Sequence, residues 1–258
     1  MSVESYHLAM EASRMSLYFE ELDYRPTPIG ALSLRRRREM SLGIDVFEIK
    51  LGDEFLMSSL FTASEIALAR LGLAELAGGE LDVVVGGLGL GYTAQAVLEH
   101  TTVKSLIIVE ALDAVIDWHE KGMLPLGSAL TADPRSRFVL GDFFAMAASK
   151  EGFDPDVFAR RFDAILVDID HSPDFLLDPK NADFYQPSGL QRLAAHLHAG
   201  GVFGLWSNEP PNELFTARLA EVFATARAER VTFYNPLQNR DFTQTVYVAR
   251  TAAGSAPR

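Results

Sequence analysis

From residue 81 onward, short continuous apolar runs alternate with longer amphipathic stretches, and few folds accept that order. The apolar runs are residues 81–85, 105–109, 137–140, 164–167 and 202–205; a strand covered on both faces inside a parallel sheet has this composition. Residues 92–99, 112–121, 143–150 and 188–198 lie between them and have the spacing of helices. Strand, crossover helix and next strand in series predict an α/β, Rossmann-like, doubly wound sheet with right-handed crossovers.

The two ends of the chain depart from this rhythm. Residues 212–226 read as a helix, and residues 229–234 and 243–249 as strands joined by residues 235–242 alone. That linker is too short for a crossover helix, so the last two strands are expected to pair antiparallel. A mostly parallel sheet that ends in an antiparallel hairpin is, by fold-level analogy, the arrangement of S-adenosylmethionine-dependent transferases. Upstream, residues 29–35 and 44–51 alternate apolar and polar, which predicts a small N-terminal β-hairpin with Arg35-Arg36-Arg37-Arg38 as a solvated turn. A helix follows from Thr62, with Thr62 and Ser64 available as caps. The expected organisation is residues 1–61 as an N-terminal segment with the hairpin, 62–250 as a nucleoside-binding catalytic domain, and 251–258 as a disordered tail.

Charge narrows the choice of ligand. A formal net charge of −12 disfavours nucleic acid and membrane surfaces and suits a cationic small molecule. The chain has no cysteine, so disulfides, thiolate metal sites and a cysteine nucleophile are excluded. No apolar run approaches the ~18 residues of a membrane span, and Met1 to Arg14 lacks the pattern of a signal peptide, so a soluble cytoplasmic protein is expected.

The strongest local motif is the strand-to-helix passage at residues 83–94, with Gly86, Gly87, Gly89 and Gly91 in the loop. Glycines there let backbone pass close to a ligand and expose amide donors at a helix start. Gly87, Gly89 and Gly91 give G-x-G-x-G with Tyr92 next, not the G-x-G-x-x-G of dinucleotide sites, so nucleoside binding gains over nicotinamide binding. The second apolar run ends at Glu110, where a carboxylate can accept hydrogen bonds from both ribose hydroxyls. Asp142 follows the third run and can accept an adenine amino group, cap the next helix, or do both. The fourth run ends in Asp168, Asp170, His171 and Asp174, the best place for an acceptor site. An amine must reach a sulfonium carbon as the free base, and Asp168 is assigned to take its proton and offset the developing charge. Asp170, His171 and, after the fifth run, Asn208 are second-rank substrate-binding residues; for a metal site built from Asp168, Asp170 and His171, nothing else in the chain completes the set.

In the order of these parts the chain resembles the spermidine synthase (polyamine aminopropyltransferase) family, from the hairpin near residue 29 to Ala249. The parts are the strand pair, Asp53-Glu54-Phe55, the glycine loop, Glu110, Gly141-Asp142, and Asp168 after Ala164-Ile165-Leu166-Val167. The resemblance implies a dimer that moves an aminopropyl group from decarboxylated S-adenosylmethionine to a small amine, with Glu110 on the ribose, Asp142 on the adenine and Asp168 as catalytic carboxylate. It also marks departures: Gly89 stands where the family has the aspartate that grips the donor's amine, Met57-Ser58 where a Tyr-Gln pair is counted, and His171 where a second acid stands. Three other readings remain open: a methyltransferase using intact S-adenosylmethionine, a nucleoside-binding module without catalysis, and a nicotinamide oxidoreductase.

Overall fold

The computed structural model describes residues 18–27, 30–76 and 78–254. Ile29, at the start of the expected first strand, and residues 255–258 of the expected tail lie outside the described residues. The chain divides into two compact units, residues 1–62 and 63–258.

The first unit is larger than a hairpin. Its strands β1 (Phe19–Thr27), β2 (Gly30–Glu39), β3 (Ile44–Leu51) and β4 (Glu54–Ser58) form one antiparallel sheet in chain order. The arginine run is not a turn: it lies inside β2, and the turn comes later, at Met40 to Gly43. Strand period 2 separates the run into two faces. On one face Arg35 and Arg37 reach Glu48 of β3 at 2.7 and 2.9 Å, and Glu48 is buried. On the other, Arg36 pairs with Glu20 and Arg38 with Asp45. Four adjacent like charges are tolerated in a strand because carboxylates of the neighbouring strands meet each face. Among the described residues, Leu32, Leu34, Val46 and Ile49 are the buried apolar side chains of this unit.

The second unit opens with helix α1 (Ala63–Leu73) and continues β5 (Leu81–Gly86), α2 (Tyr92–Leu98), β6 (Val103–Glu110), α3 (Asp113–Glu120), α4 (Gly127–Ala132), β7 (Ser136–Leu140), α5 (Phe143–Ala148) and β8 (Phe162–Val167). A 3-10 helix (Pro179–Tyr185) then leads into α6 (Pro187–Ala194), β9 (Leu197–Ser207), α7 (Glu213–Val222), β10 (Thr225–Asn235) and β11 (Arg240–Arg250). The seven-stranded sheet runs in the order β10-β11-β9-β8-β5-β6-β7. The five strands β9-β8-β5-β6-β7 are parallel, and β11 pairs antiparallel with both β9 and β10. The expected fold class is therefore present, with its antiparallel closing hairpin.

Three local expectations give way. The helix expected to reach residue 198 stops at Ala194, because Leu197 already pairs with Phe162 of β8. Residues 225 and 226 belong to β10, so the helix before it is shorter than expected and the closing strands are longer. Register Asn235↔Arg240 leaves a tight turn, in which Asn235 Oδ1 accepts from the amides of Leu237 and Gln238 and Asn239 takes a positive φ. Val83, Val84 and Val85 of β5 and Ala164 to Val167 of β8 are fully buried, each large side chain contributing ~1.5–3 kcal/mol. This core makes the central strands a rigid platform for whatever their tips carry. Among the described residues no helix is long and apolar enough to cross a membrane.

Candidate active site

The sheet reverses its direction of growth at β5: β6 and β7 are added on one side, β8 and β9 on the other. The carboxyl ends of β5 and β8 therefore flank a crevice, the place where open α/β sheets bind ligands. Hydrogen bonds tie the tip of β5 to both neighbours, Gly87 N donating to Val109 O of β6 at 2.9 Å and Asp168 N, just past β8, to Gly86 O at 2.8 Å.

Gly86 closes β5, and Gly87, Gly89 and Gly91 all have positive φ, Gly91 immediately before α2. At Gly87 only glycine fits: with φ of +91° a Cβ would lie 2.1 Å from the carbonyl oxygen of Asp168. The loop is held from below by Glu110 at the tip of β6. Its Oε2 accepts from Leu88 N at 3.0 Å and lies 3.5 Å from Gly89 N, while Oε1 accepts from Leu112 N at 2.9 Å. Burial raises the pKa of Glu110, and these amide bonds pull it back down. His119, fully buried in α3, holds the same loop from its other side, with Nε2 2.8 Å from Gly89 O; burial lowers its pKa, which favours the neutral imidazole.

Asp142 caps α5, accepting from Phe144 N and Ala145 N, and lies 3.6 Å from Lys180 Nζ; it is exposed. Its capping geometry is in place, and its remaining lone pairs face solvent.

Asp168 follows β8 directly. Oδ2 accepts from the Thr93 hydroxyl at 2.8 Å, and burial raises its pKa to about 6, the Thr93 bond opposing the shift. The same hydroxyl lies 3.3 Å from the carbonyl oxygen of Glu65, in the first turn of α1. Glu65 is the site residue that sequence reasoning missed. Burial, then the charge of Asp168, raise its carboxyl to about 7. Its Oε2 is 2.7 Å from Ser64 Oγ, which receives the indole N–H of Trp206 at 2.8 Å and sits 2.6 Å from Gln244 Oε1; Gln244 Nε2 in turn donates to Asn208 Oδ1 at 2.8 Å. Two carboxyls thus lie close together beside Thr93, at the edge of a polar chain from α1, β9 and β11. Asn208 belongs to that chain through its side chain, although it is exposed.

Asp170 and His171 lie further along the same loop, and His171 meets the polar chain through its backbone, at Asn208. Asp170 is buried and its oxygens accept from Leu177 N at 2.8 Å and Tyr185 OH at 2.7 Å, so it ties down the loop after β8. Burial raises its pKa despite those bonds. His171 packs edge-on against Phe175, with ring centroids 5.0 Å apart, and its carbonyl accepts from Asn208 N at 2.7 Å. The residue pair Met57-Ser58 lies in β4 of the first unit, whereas Ser64-Glu65 opens α1. Among the described residues no group of three or more His, Cys, Asp or Glu side chains is arranged to hold a metal. Beside the loop after β8 a cavity of about 410 Å3 opens, and the charged residues lining it, Asp174 and Glu209, are both acidic.

A family model described as "Spermine/spermidine synthase domain" matches residues 65–231. Putrescine N-methyltransferase 3 of Nicotiana tabacum is 31% identical over 135 residues, 52% of this chain and 32% of that protein. Polyamine aminopropyltransferase of Pyrobaculum islandicum is 27% identical over 127 residues, 47% of this chain and 39% of that one. The matched stretch thus spans well under half the length of these curated relatives. Among solved structures, spermidine synthase from Thermotoga maritima superposes with a TM-score of 0.67 at 18% identity, covering 91% of this chain and 74% of the other. At that identity the likeness speaks for the fold.

Proposed function

The chain belongs to the spermine/spermidine synthase family, and from that premise we propose that it is a transferase that moves an aminopropyl or related group from an adenosyl-sulfonium donor to the nitrogen of a small amine. Residues 62–250 are the proposed catalytic domain. The observation that carries the reading is the position of Asp168: a carboxylate at the switch point, beside the glycine loop and held by Thr93. With its pKa at about 6, it is ionised at neutral pH yet basic enough to accept a proton as the amine nitrogen attacks.

The donor is decarboxylated S-adenosylmethionine in the first reading, and the residues present fit an adenosyl group. The loop carries no side chain at Gly87, Gly89 and Gly91, so its backbone can come close to a nucleoside, and Glu110, fixed by the amides of Leu88, Gly89 and Leu112, retains lone pairs for ribose hydroxyls. Asp142 supplies an acceptor for the adenine amino group. The polar chain through Ser64, Trp206, Gln244 and Asn208 orients the acceptor side, and the chain's net charge of −12 supports a cationic amine rather than an anion. A cytoplasmic homodimer belongs to the same proposal and is supported by the family resemblance alone.

One observation favours a second reading. Gly89 puts no side chain against the donor's tail, so intact S-adenosylmethionine, with its carboxylate, meets no repulsion there; methyl transfer to a diamine, as in the name of the tobacco relative, follows from that choice of donor. Calorimetry with the two sulfonium compounds, methylthioadenosine and NAD ranks the donors. Mass spectrometry of the product with putrescine then identifies the transferred group. Binding of NAD with no adenosyl-sulfonium binding overturns the proposal, and donor binding without turnover across an amine panel leaves the non-catalytic module.

A further inference from the structure

Ser64 Oγ sits at the centre of three short contacts, and its single proton cannot serve all of them. Trp206 Nε1 can only donate, so it occupies one lone pair of the hydroxyl. Gln244 presents Oε1 to Ser64 at 2.6 Å, because its Nε2 is engaged on Asn208 Oδ1; an amide oxygen can only accept, so the Ser64 proton goes there. The remaining contact, Glu65 Oε2 at 2.7 Å, is then two bare oxygens facing each other unless Glu65 itself carries a proton and donates it to the second lone pair of Ser64. Asp168, next to it, accepts from Thr93 and has no such partner demanding a proton.

We infer that Glu65 is protonated in the free protein and that a cationic amine entering the pocket displaces that proton, so that the acceptor is bound in exchange for a proton released to solvent. The inference rests on the amine reading above and adds the chemical form in which the site receives its acceptor. With Glu65 neutral the pocket has one negative charge, on Asp168, and does not pay the repulsion of two buried carboxylates. When an ammonium group arrives, its charge offsets a second carboxylate, Glu65 ionises, and a pocket with two negative charges faces a diamine. Glu65 is thus a positioning residue for the acceptor, while Asp168 remains the base. The charge that acts on Glu65 is that of Asp168 from β8, and both burial and that charge favour the protonated form, in agreement with the hydrogen-bond count. Trp206 from β9, Gln244 from β11 and Thr93 from α2 are uncharged, and Arg227 of β10 is paired with Glu75, beyond the opposite end of α1.

Isotope-edited infrared spectra of the full chain labelled at glutamate test this without any ligand. A protonated carboxylic acid band that bleaches between about pH 6 and about pH 8 should be present, and this component should be missing in Glu65→Gln, which sets it apart from any band of Glu110. That variant keeps a donor toward Ser64 and should retain fold and donor affinity. Adding putrescine below neutral pH should bleach the band, and calorimetry in buffers of different ionisation enthalpy should show release of close to one proton per diamine about one pH unit below the Glu65 midpoint. Glu65→Gln should release none and bind putrescine about tenfold more weakly. If both amides are turned over, Ser64 donates to an ionised Glu65 and no acid band of this midpoint appears; that result, or survival of the same band in Glu65→Gln, overturns the inference whatever putrescine does. A band present in the free protein with no putrescine binding overturns instead the amine reading beneath it.

Discussion

Replacing Gly87 by alanine tests whether the junction of β5 and β8 is as tight as its geometry states. The new Cβ would stand 2.1 Å from the carbonyl oxygen and 3.0 Å from the carbonyl carbon of Asp168, where ordinary carbon–oxygen contact is about 3.3 Å or more. The atom in the way is backbone, so no rotamer relieves it. The loop and the tip of β8 must separate by more than ~1 Å, which strains or breaks the bond from Asp168 N to Gly86 O. A left-handed residue with a Cβ costs ~1–2 kcal/mol, forced repacking ~1–3 kcal/mol, and a lost hydrogen bond ~1 kcal/mol, for a total of ~3 kcal/mol or more. Gly122→Ala is the control: its φ is +66° in the same unit, with only Ser128 Oγ nearby at 3.4 Å, so it should cost the conformational ~1–2 kcal/mol alone. Urea unfolding followed by tryptophan fluorescence reports on this unit selectively, since both tryptophans of the chain, Trp118 and Trp206, lie in it. Equal costs for the two substitutions, within ~0.5 kcal/mol, would refute the close approach of the two strand tips and with it the reason for glycine at this position.

Asp168→Asn should lower turnover by ~10²–10⁴ with little change in donor affinity, and the wild-type kcat/KM should fall on its acid side with a midpoint at about 6. The same variant should be more stable at alkaline pH. Folded Asp168 holds its proton up to about 6 where the unfolded carboxyl loses it near 3.8, so ionisation costs the fold increasingly between those values and fully above them; thermal melts at pH 4 and above neutrality, compared with wild type, measure the difference. Glu110→Ala leaves the amides of Leu88 and Leu112 without their acceptor and should cost ~2 kcal/mol or more in urea unfolding, together with adenosyl-ligand affinity. Tyr185→Phe removes the buried bond to Asp170 and should cost ~1–3 kcal/mol while leaving donor binding intact, as differential calorimetry and ligand titration would show.

What the sequence disclosed, and what it hid, follow from the range over which each signal acts. The parallel strands were visible because residues 83–85 and 164–167 are apolar without interruption, a property of neighbouring residues. Asp168 was visible because it ends such a run. Glu65 was not: an acid in the first turn of a helix is ordinary complement to the helix dipole, and its unusual environment arises only when α1 packs beside the tip of β8 and the first half of β11. The same distance hid Gln244, which lies beyond the stretch matched by the family model. Asp170 shows the reverse failure. In sequence it is as acidic and nearly as close to the strand end as Asp168, but both lie beyond the last residue of β8, and the loop that follows turns Asp170 toward Leu177 and Tyr185, a partner choice with no periodic pattern behind it. The arginine run misled because four adjacent charges suggest exposure, whereas a strand distributes them over two faces where Glu48, Glu20 and Asp45 are waiting. Helix α4, six residues of mostly small side chains, carries too little amphipathic signal to be read at all.

The topology has a consequence for how such a protein can change. Strands β5, β6 and β7 bring the glycine loop, Glu110 and Asp142; the opposite wall is drawn from α1, the ends of β8 and β9, and the antiparallel β11. The two halves are encoded in largely separate stretches of chain and meet along one seam. Under the proposed function, substitutions at Ser64, Asn208 or Gln244 would re-tailor the molecule that is modified without disturbing the molecule that supplies the group, so that drift on one wall is partly insulated from constraint on the other.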